Sequence, residues 1–249
     1  MDNTTVMSAE IIDLFVNKLA WYTLAGITVL WFLFLYFGLG LLFSLAIRLL
    51  RKPGFIHRIV AAEAGRQQLA YEIKHSVVSI LIFGLSAIPI VFFIRLGWAR
   101  LLPDTPLNIG YSLIVLLIWN EVHFFLVHRL MHSRLFMQQV HYVHHRSKVP
   151  TLWSVFSFHW LEAALLSTVS LTLMPWLALA ASALILFPVV SILLNFAGHC
   201  NYRFGSGWGS RFLTFGTRHA GHHSGKNKSY GFASHLPDAL LSAFTKKAK

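Results

Sequence analysis

The chain has a single cysteine among 249 residues, so it can form no internal disulfide and build no metal site from cysteine alone. That residue, Cys200, reads as a small buried apolar side chain. Charge is scarce too. Charged residues make up 12% of the chain and hydrophobic residues 56%, whereas a soluble domain is about a quarter charged. The balance excludes an ordinary soluble domain and predicts an all-α integral membrane protein. No linker or low-complexity stretch divides the sequence, so residues 1–249 read as one membrane domain. A cleavable signal peptide is not expected, because the first twenty residues carry acids and lack a charged-then-apolar order. Ile11, Ile12, Phe15, Val16 and Leu19 instead recur at helical spacing, which predicts an interfacial amphipathic segment over residues 1–20. Gly205-Ser206-Gly207-Trp208-Gly209 has the glycine spacing of a dinucleotide loop, but no strand precedes it and no βαβ unit surrounds it. It reads as a plain loop, and nothing suggests a haem, flavin or nicotinamide domain.

What is present in quantity is apolar sequence. A membrane span needs about 20 mostly apolar residues. Residues 21–50, 76–96 and 108–127 meet that need, and residues 163–200 contain no Asp, Glu, Lys or Arg at all. A single helix over this last run would far exceed the ~30 Å hydrocarbon core. Pro175 lacks a backbone N–H, so the run is expected to fold as a hairpin of helices over 163–174 and 176–197. Four to five membrane helices result. Lys and Arg mark the cytoplasmic side of a membrane protein. Five lie between residues 51 and 74 and eight follow Cys200, but one precedes Trp21 and two lie between the second and third spans. This alternation predicts an outside N-terminus and a cytoplasmic face for everything from His128 on, apart from the hairpin. The formal net charge of +12 is explained by that orientation and by anionic lipid headgroups, not by nucleic acid.

Histidine is the second abundance. His128 and His132 are four apart; His141, His144 and His145 form one HxxHH group, and His219, His222 and His223 repeat it, with His199 alone between them. Residues three or four apart share a helix face, their Cβ atoms ~5–6 Å apart, so each group can aim two or three imidazoles at one point. Imidazole suits iron, zinc, copper and nickel, whereas magnesium and calcium prefer oxygen. Nine imidazoles exceed the needs of one tetrahedral ion, so the pattern predicts two metal ions. His123 lies off the stripe of His128, and His57, His75 and His235 lack partners at ligand spacing.

Three further side chains are candidates for supporting roles. Glu121 lies two helical turns before His128 and is expected to orient a ligand histidine by accepting its second ring N–H. His159 and Glu162 share a face where the hairpin begins, and are expected to act together beside the cage or at its entrance from the membrane.

The histidine groups and their flanks resemble the fatty acid hydroxylase and sterol desaturase superfamily of membrane di-iron enzymes. The resemblance spans residues 108–244. It rests on Phe124-Phe125 followed by His128-Arg129-Leu130-Met131-His132, on His141 through Ser147, and on Pro150 through Ala163. Asn195-Phe196-Ala197-Gly198-His199, His219 through His223, and Ser229-Tyr230-Gly231 complete it. It implies four membrane helices under a cytosolic helical cap, with His128, His132, His141, His144, His145, His199, His219, His222 and His223 as ligands of two iron ions. Because imidazole accepts both metals, zinc can occupy the same cage in a recombinant preparation. Some relatives have histidine where this chain has Asn195, which implies a weak ligand or an orienting group. The implied chemistry is O2-dependent attack on a lipid C–H bond, with electrons from a separate ferredoxin or cytochrome and its reductase. The implied setting is a bacterial inner membrane or the endoplasmic reticulum. Three departures leave the branch open: Ala220 replaces a frequent aspartate, Trp160 a proline, and only Asp238 survives of a C-terminal signature.

Hydroxylation of an acyl or alkyl chain is the leading expectation, with desaturation or methyl oxidation of a sterol-like lipid as the alternative. A metal transporter fits less well, since transport sites lie near the bilayer midplane. A lipid-binding pseudoenzyme is disfavoured by the full histidine set.

Overall fold

The computed structural model describes residues 9–51, 55–204, 215–223 and 229–247. Four helices are long and apolar enough to cross a membrane: α1 (Trp21–Leu49), α2 (Arg66–Arg95), α3 (Pro106–Met131) and α5 (Ala181–His199). A shorter apolar helix, α4 (Trp160–Leu173), precedes α5. Two more helices, α6 (Phe215–His223) and α7 (Leu236–Lys247), follow it. The chain is thus an all-α membrane protein, as its composition requires. The loop at 205–209 and residues 1–8 of the amphipathic segment lie outside the described residues.

α3 shows how the bundle is laid out. Thr105 caps its start by accepting from Asn108 N–H, and Pro106 occupies the first turn, where no N–H is needed. Leu107, Tyr111, Ile114, Ile118, Val122, Leu126 and Leu130 form one exposed apolar stripe. The buried face holds Ser112, Leu116, Asn120, His123, His128 and Met131. A helix with its apolar stripe outward and polar groups inward suits lipid surroundings.

Two of the expected spans extend further than hydropathy alone indicates. α2 begins at Arg66, ten residues before the apolar run, and α3 continues to Met131, carrying His128 clear of the apolar stretch. The additional turns of α2 are polar and bond to residues 149–153. Gln68 donates to the Val149 carbonyl (2.7 Å) and to Glu72 (2.8 Å), and Glu72 accepts from Thr151 Oγ1 (2.5 Å). Ser76 Oγ and the Tyr36 hydroxyl both donate to the Trp153 carbonyl, at 3.1 and 2.6 Å. Tyr36 is fully buried in a π-helical turn of α1, Phe34–Leu39, where the widened helix sends Leu35 and Tyr36 inward together.

The hairpin breaks at Pro175 as expected, but its arms differ from 163–174 and 176–197. The first arm starts at Trp160 and is interrupted at Thr168, and the second starts at Ala181. The delay has a local cause: Leu179–Ala180 pairs in parallel with Leu101–Leu102, so these residues are extended and cannot enter the helix. Asp104 then accepts from the Ser182 amide at 3.2 Å, fastening the hairpin tip to the loop before α3. Arg95, at the same end of the bundle, bonds to the Val16 and Leu19 carbonyls and so holds the N-terminal segment there.

α1 and α2 approach closely because position 84 has no side chain. A Cβ there would lie 2.5 Å from Val29 Cγ2 and 2.7 Å from Val29 Cα. Small residues allow such backbone approach where no hydrophobic effect drives helices together, and Thr28 Oγ1 donates to the Gly84 carbonyl across the contact (2.7 Å). At the opposite end of the bundle from Arg95, Ile56–Arg58 pairs with Tyr202–Phe204. Asn201 takes the left-handed conformation (φ 61°) that ends α5, and its amide brackets Val60 N–H and C=O at 2.8 and 2.9 Å.

Candidate metal centre

All nine histidines expected as ligands converge at one end of the bundle. His128 lies in the last turn of α3 and His132 directly follows that helix. His199 is the last residue of α5. His141 closes a π-helical turn, Met137–His141, and His144 and His145 follow in the short helix Tyr142–His145. His219, His222 and His223 lie in α6.

The nine divide into two groups. His128, His132, His141, His145 and His222 form one, and His144, His199, His219 and His223 the other, with the candidate ligand atoms of each group within 4.8 Å of one another. Each HxxHH group therefore splits. The outer pair of the first, His141 and His145, joins the five-histidine group and its middle member the other. In the second, His219 and His223 join the four-histidine group and His222 crosses over. The groups are interleaved through adjacent residues, His144 with His145 and His222 with His223.

The surroundings suit metal binding in three respects. The first is orientation. His128 Nδ1 faces the Tyr230 carbonyl (3.0 Å), which can only accept, so Nδ1 carries the hydrogen. His141 Nδ1 faces Glu162 Oε1 (2.8 Å). Ser154 Oγ gives its hydrogen to the Thr151 carbonyl (2.7 Å) and so accepts from His199 Nδ1 (2.9 Å). In the His128 and His199 rings Nε2 is thereby left with a free lone pair, the tautomer a metal ligand needs. The second is unmet bonding capacity: the buried Nε2 atoms of His128, His141 and His145 have no hydrogen-bond partner among the described residues. Such orphaned buried atoms call for an explanation. The third is spacing. His132 Nε2 lies 2.9 Å from His222 Nε2, and His219 Nε2 lies 2.9 Å from His223 Nε2. Two nitrogens each ~2.1 Å from one ion and at right angles to it are about 3.0 Å apart.

Burial also keeps these rings neutral. It lowers the pKa of His132 and His145 to about 4 and that of His219 to about 3. His141, His144, His222 and His223 are likewise held low, by burial first and then by the neighbouring imidazoles. A metal site needs its imidazoles deprotonated.

Of the supporting residues, Glu162 lies beside the cage as expected, whereas Glu121 and His159 have other partners. Among the described residues, Glu121 accepts no histidine N–H. Its carboxylate receives the amides of Phe232, Ala233 and Ser234 at 3.0, 3.0 and 3.2 Å. A carboxylate two turns below His128 reaches a loop from the C-terminal region before it reaches the ring. His159 and Glu162 do not work as a pair. Glu162 is buried against His141, whereas His159 caps α4 by accepting from the Leu161 amide (3.2 Å). Asn195 lies one turn before His199, and its side chain makes no hydrogen bond among the described residues. His123 bonds Thr168 Oγ1 (3.0 Å), away from either group. His57 and His235 are exposed, and the His75 ring packs on Tyr71 at 4.3 Å.

Sequence reasoning missed the Tyr230 carbonyl, Ser154 and Glu72. A carbonyl has no residue signature, and Ser154 and Glu72 were detectable only as isolated polar residues beside apolar runs.

A family model described as fatty acid hydroxylase matches residues 113–243, just over half of the chain. No curated protein and no solved structure matches.

Proposed function

The chain belongs to the fatty acid hydroxylase family, whose members are oxidoreductases known for the use of iron, and from that premise we propose that it is a membrane-bound di-iron monooxygenase acting on a lipid acyl or alkyl chain. The observation that carries the reading is the division of nine histidines into groups of five and four at one end of a bundle of four long apolar helices. His128, His132, His141, His145 and His222 would hold one iron ion, and His144, His199, His219 and His223 the other. When bound, the pair supplies the redox chemistry for R–H + O2 + 2e⁻ + 2H⁺ → R–OH + H2O. The protein's own residues hold the ligands rigid. Tyr230, Glu162 and Ser154 fix three rings through Nδ1, and five of the nine imidazoles are buried.

α4 and α5 run from the cage into the apolar part of the bundle, which makes the hairpin the route by which a chain from the bilayer would reach the centre. Electrons come from a separate ferredoxin or cytochrome with its reductase. The basic residues near the cage favour a cytoplasmic centre, in a bacterial inner membrane or the endoplasmic reticulum. The test is conversion of membrane lipid by the iron-loaded protein in proteoliposomes, with an external reductant and 18O2. A single 18O atom in a hydroxylated chain supports the proposal. A new double bond without 18O would move the reaction to the desaturase branch. No oxidised lipid from any acyl, alkyl or sterol-like substrate, with both ions bound, would overturn it.

A further inference from the structure

Among the described residues, the hydrogen bond and ring contacts that loop 229–234 makes to the cage fall on the five-histidine group, while His219 of the other group lines a small pocket beside Ser229, Gly231 and Phe232. The Tyr230 carbonyl accepts from His128 Nδ1, and the Tyr230 ring lies 5.0 Å from His132, 5.8 Å from His128 and 5.9 Å from His222, centre to centre. Phe232 packs on Phe124 (5.1 Å), which packs on His128 (5.1 Å). All three of these histidines belong to the five-histidine group.

Two carboxylates from distant parts of the chain hold this loop. Asp238, in the first turn of α7, accepts from the Tyr230 amide (3.0 and 3.1 Å), from the Gly231 amide (3.0 Å) and from Ser229 Oγ (3.5 Å). Glu121, on α3, accepts from the amides of Phe232, Ala233 and Ser234 and from Ser234 Oγ (3.3 Å). Each carboxylate thus gathers consecutive backbone amides, and hydrogen bonds to an ionised acceptor are about twice as strong as neutral ones. The loop closes tightly between them. A Cβ at Gly231 would lie 2.0 Å from the Ser234 carbonyl oxygen and 3.1 Å from Glu121 Oε1, so this position admits no side chain.

We infer that Asp238 and Glu121 are positioning residues that set metal affinity at the five-histidine position alone, acting through the Tyr230 carbonyl on His128. The inference rests on the reading of the two groups as metal positions. The four-histidine group has a separate fastening, Ser154 on His199, within the segment that packs on α1 and α2. The two positions are therefore unequal, and the surviving acid of the C-terminal signature has a defined role: it tunes one ion from α7.

The test is a zinc titration of the purified full-length chain in detergent, against a competing chelator, with thermal unfolding as the control for folding. Wild-type protein is expected to hold two ions tightly. Asp238→Asn and Glu121→Gln, made separately, are each expected to keep one tight ion and to weaken the other by about 10–100-fold, the range for outer partners of metal ligands. Asp238→Glu should restore part of the loss. Adding His219→Ala to Asp238→Asn should leave no tight ion, whereas adding His222→Ala should leave one. Amide exchange at Tyr230 and Gly231 should accelerate in Asp238→Asn. Two ions with unchanged affinity in both single variants would overturn the inference and leave the family reading intact, as would equal weakening of both ions. Fewer than two ions in the wild type would instead refute the dinuclear reading itself.

Discussion

The five-histidine and four-histidine groups draw on the same kinds of element but are held by different parts of the molecule. The five-histidine group hangs from the end of α3 and from residues 141–145, and its outer partners are Glu162 on the hairpin and the Tyr230 carbonyl in the C-terminal loop. The four-histidine group is centred on the end of α5, with Ser154 as its outer partner. Ser154 follows Trp153, whose carbonyl receives Tyr36 from α1 and Ser76 from α2. One group thus leans on the tail of the chain and the other on the core of the bundle. A metal position borrows its rigidity from whatever holds its outer partners, so two positions separated by one residue in sequence can differ in how readily they come apart.

Ligand removal tests this contrast with the largest effect. His144→Ala leaves three imidazoles in the four-histidine group, whereas His222→Ala leaves four in the other. Both variants should lose lipid oxidation by at least about a hundredfold, because the chemistry needs both ions. Elemental analysis should show the deeper metal loss in His144→Ala. Normal metal content and full turnover in both variants would remove the basis for the comparison.

Acid should loosen both groups, with a smaller effect than ligand removal. A histidine whose folded pKa lies below its unfolded value of about 6.5 is protonated more readily in the unfolded chain. Its stabilising contribution is therefore complete above that value and is lost as pH falls through the folded value. His132 and His145, both in the five-histidine group, fall to about 4, and His219 of the other group to about 3. Lowering the pH from 6.5 toward 4 should thus lower the melting temperature of metal-stripped protein progressively. In loaded protein, acid should release the metal, because ligand imidazoles must be unprotonated to bind it. Spectra of cobalt-loaded protein along a pH titration would check this, and spectra unchanged down to about pH 4 would contradict it.

The smallest effect concerns His159. As a cap of α4 it should contribute about 1 kcal/mol to stability. His159→Ala is expected to lower the melting temperature slightly and retain both ions, as should His159→Asn with the cap restored. His57→Ala, at an exposed position, should change neither quantity. Loss of an ion from His159→Ala would place this ring among the ligands.

Much of this organisation was legible along the chain because it depends on local periodicity. The spans appeared as apolar runs, the hairpin as an uncharged run with Pro175 inside it, and the cage as histidines three and four apart. Boundaries were less legible. The polar first turns of α2 bond to residues 149–153, about eighty positions away in sequence, and no window of hydropathy detects such a bond. The delayed start of α5 likewise comes from pairing with residues 101–102. Glu121 stood out as an acid two turns before His128, but its partners are amides that the returning C-terminal loop brings within reach.

By itself, therefore, the sequence determined that the protein lies in a membrane, that it carries nine imidazoles in ligand-spaced sets, and which family it belongs to. Each of these follows from composition or from the 3.6-residue turn of a helix. Only the tertiary structure decided that each HxxHH set divides between two positions, that His141 leans on Glu162 and His199 on Ser154, and that a carbonyl orients His128. Adjacent residues on a helix point about 100° apart, so neighbours such as His144 and His145 must face different partners. Which partner each one meets depends on how helices distant in sequence pack together.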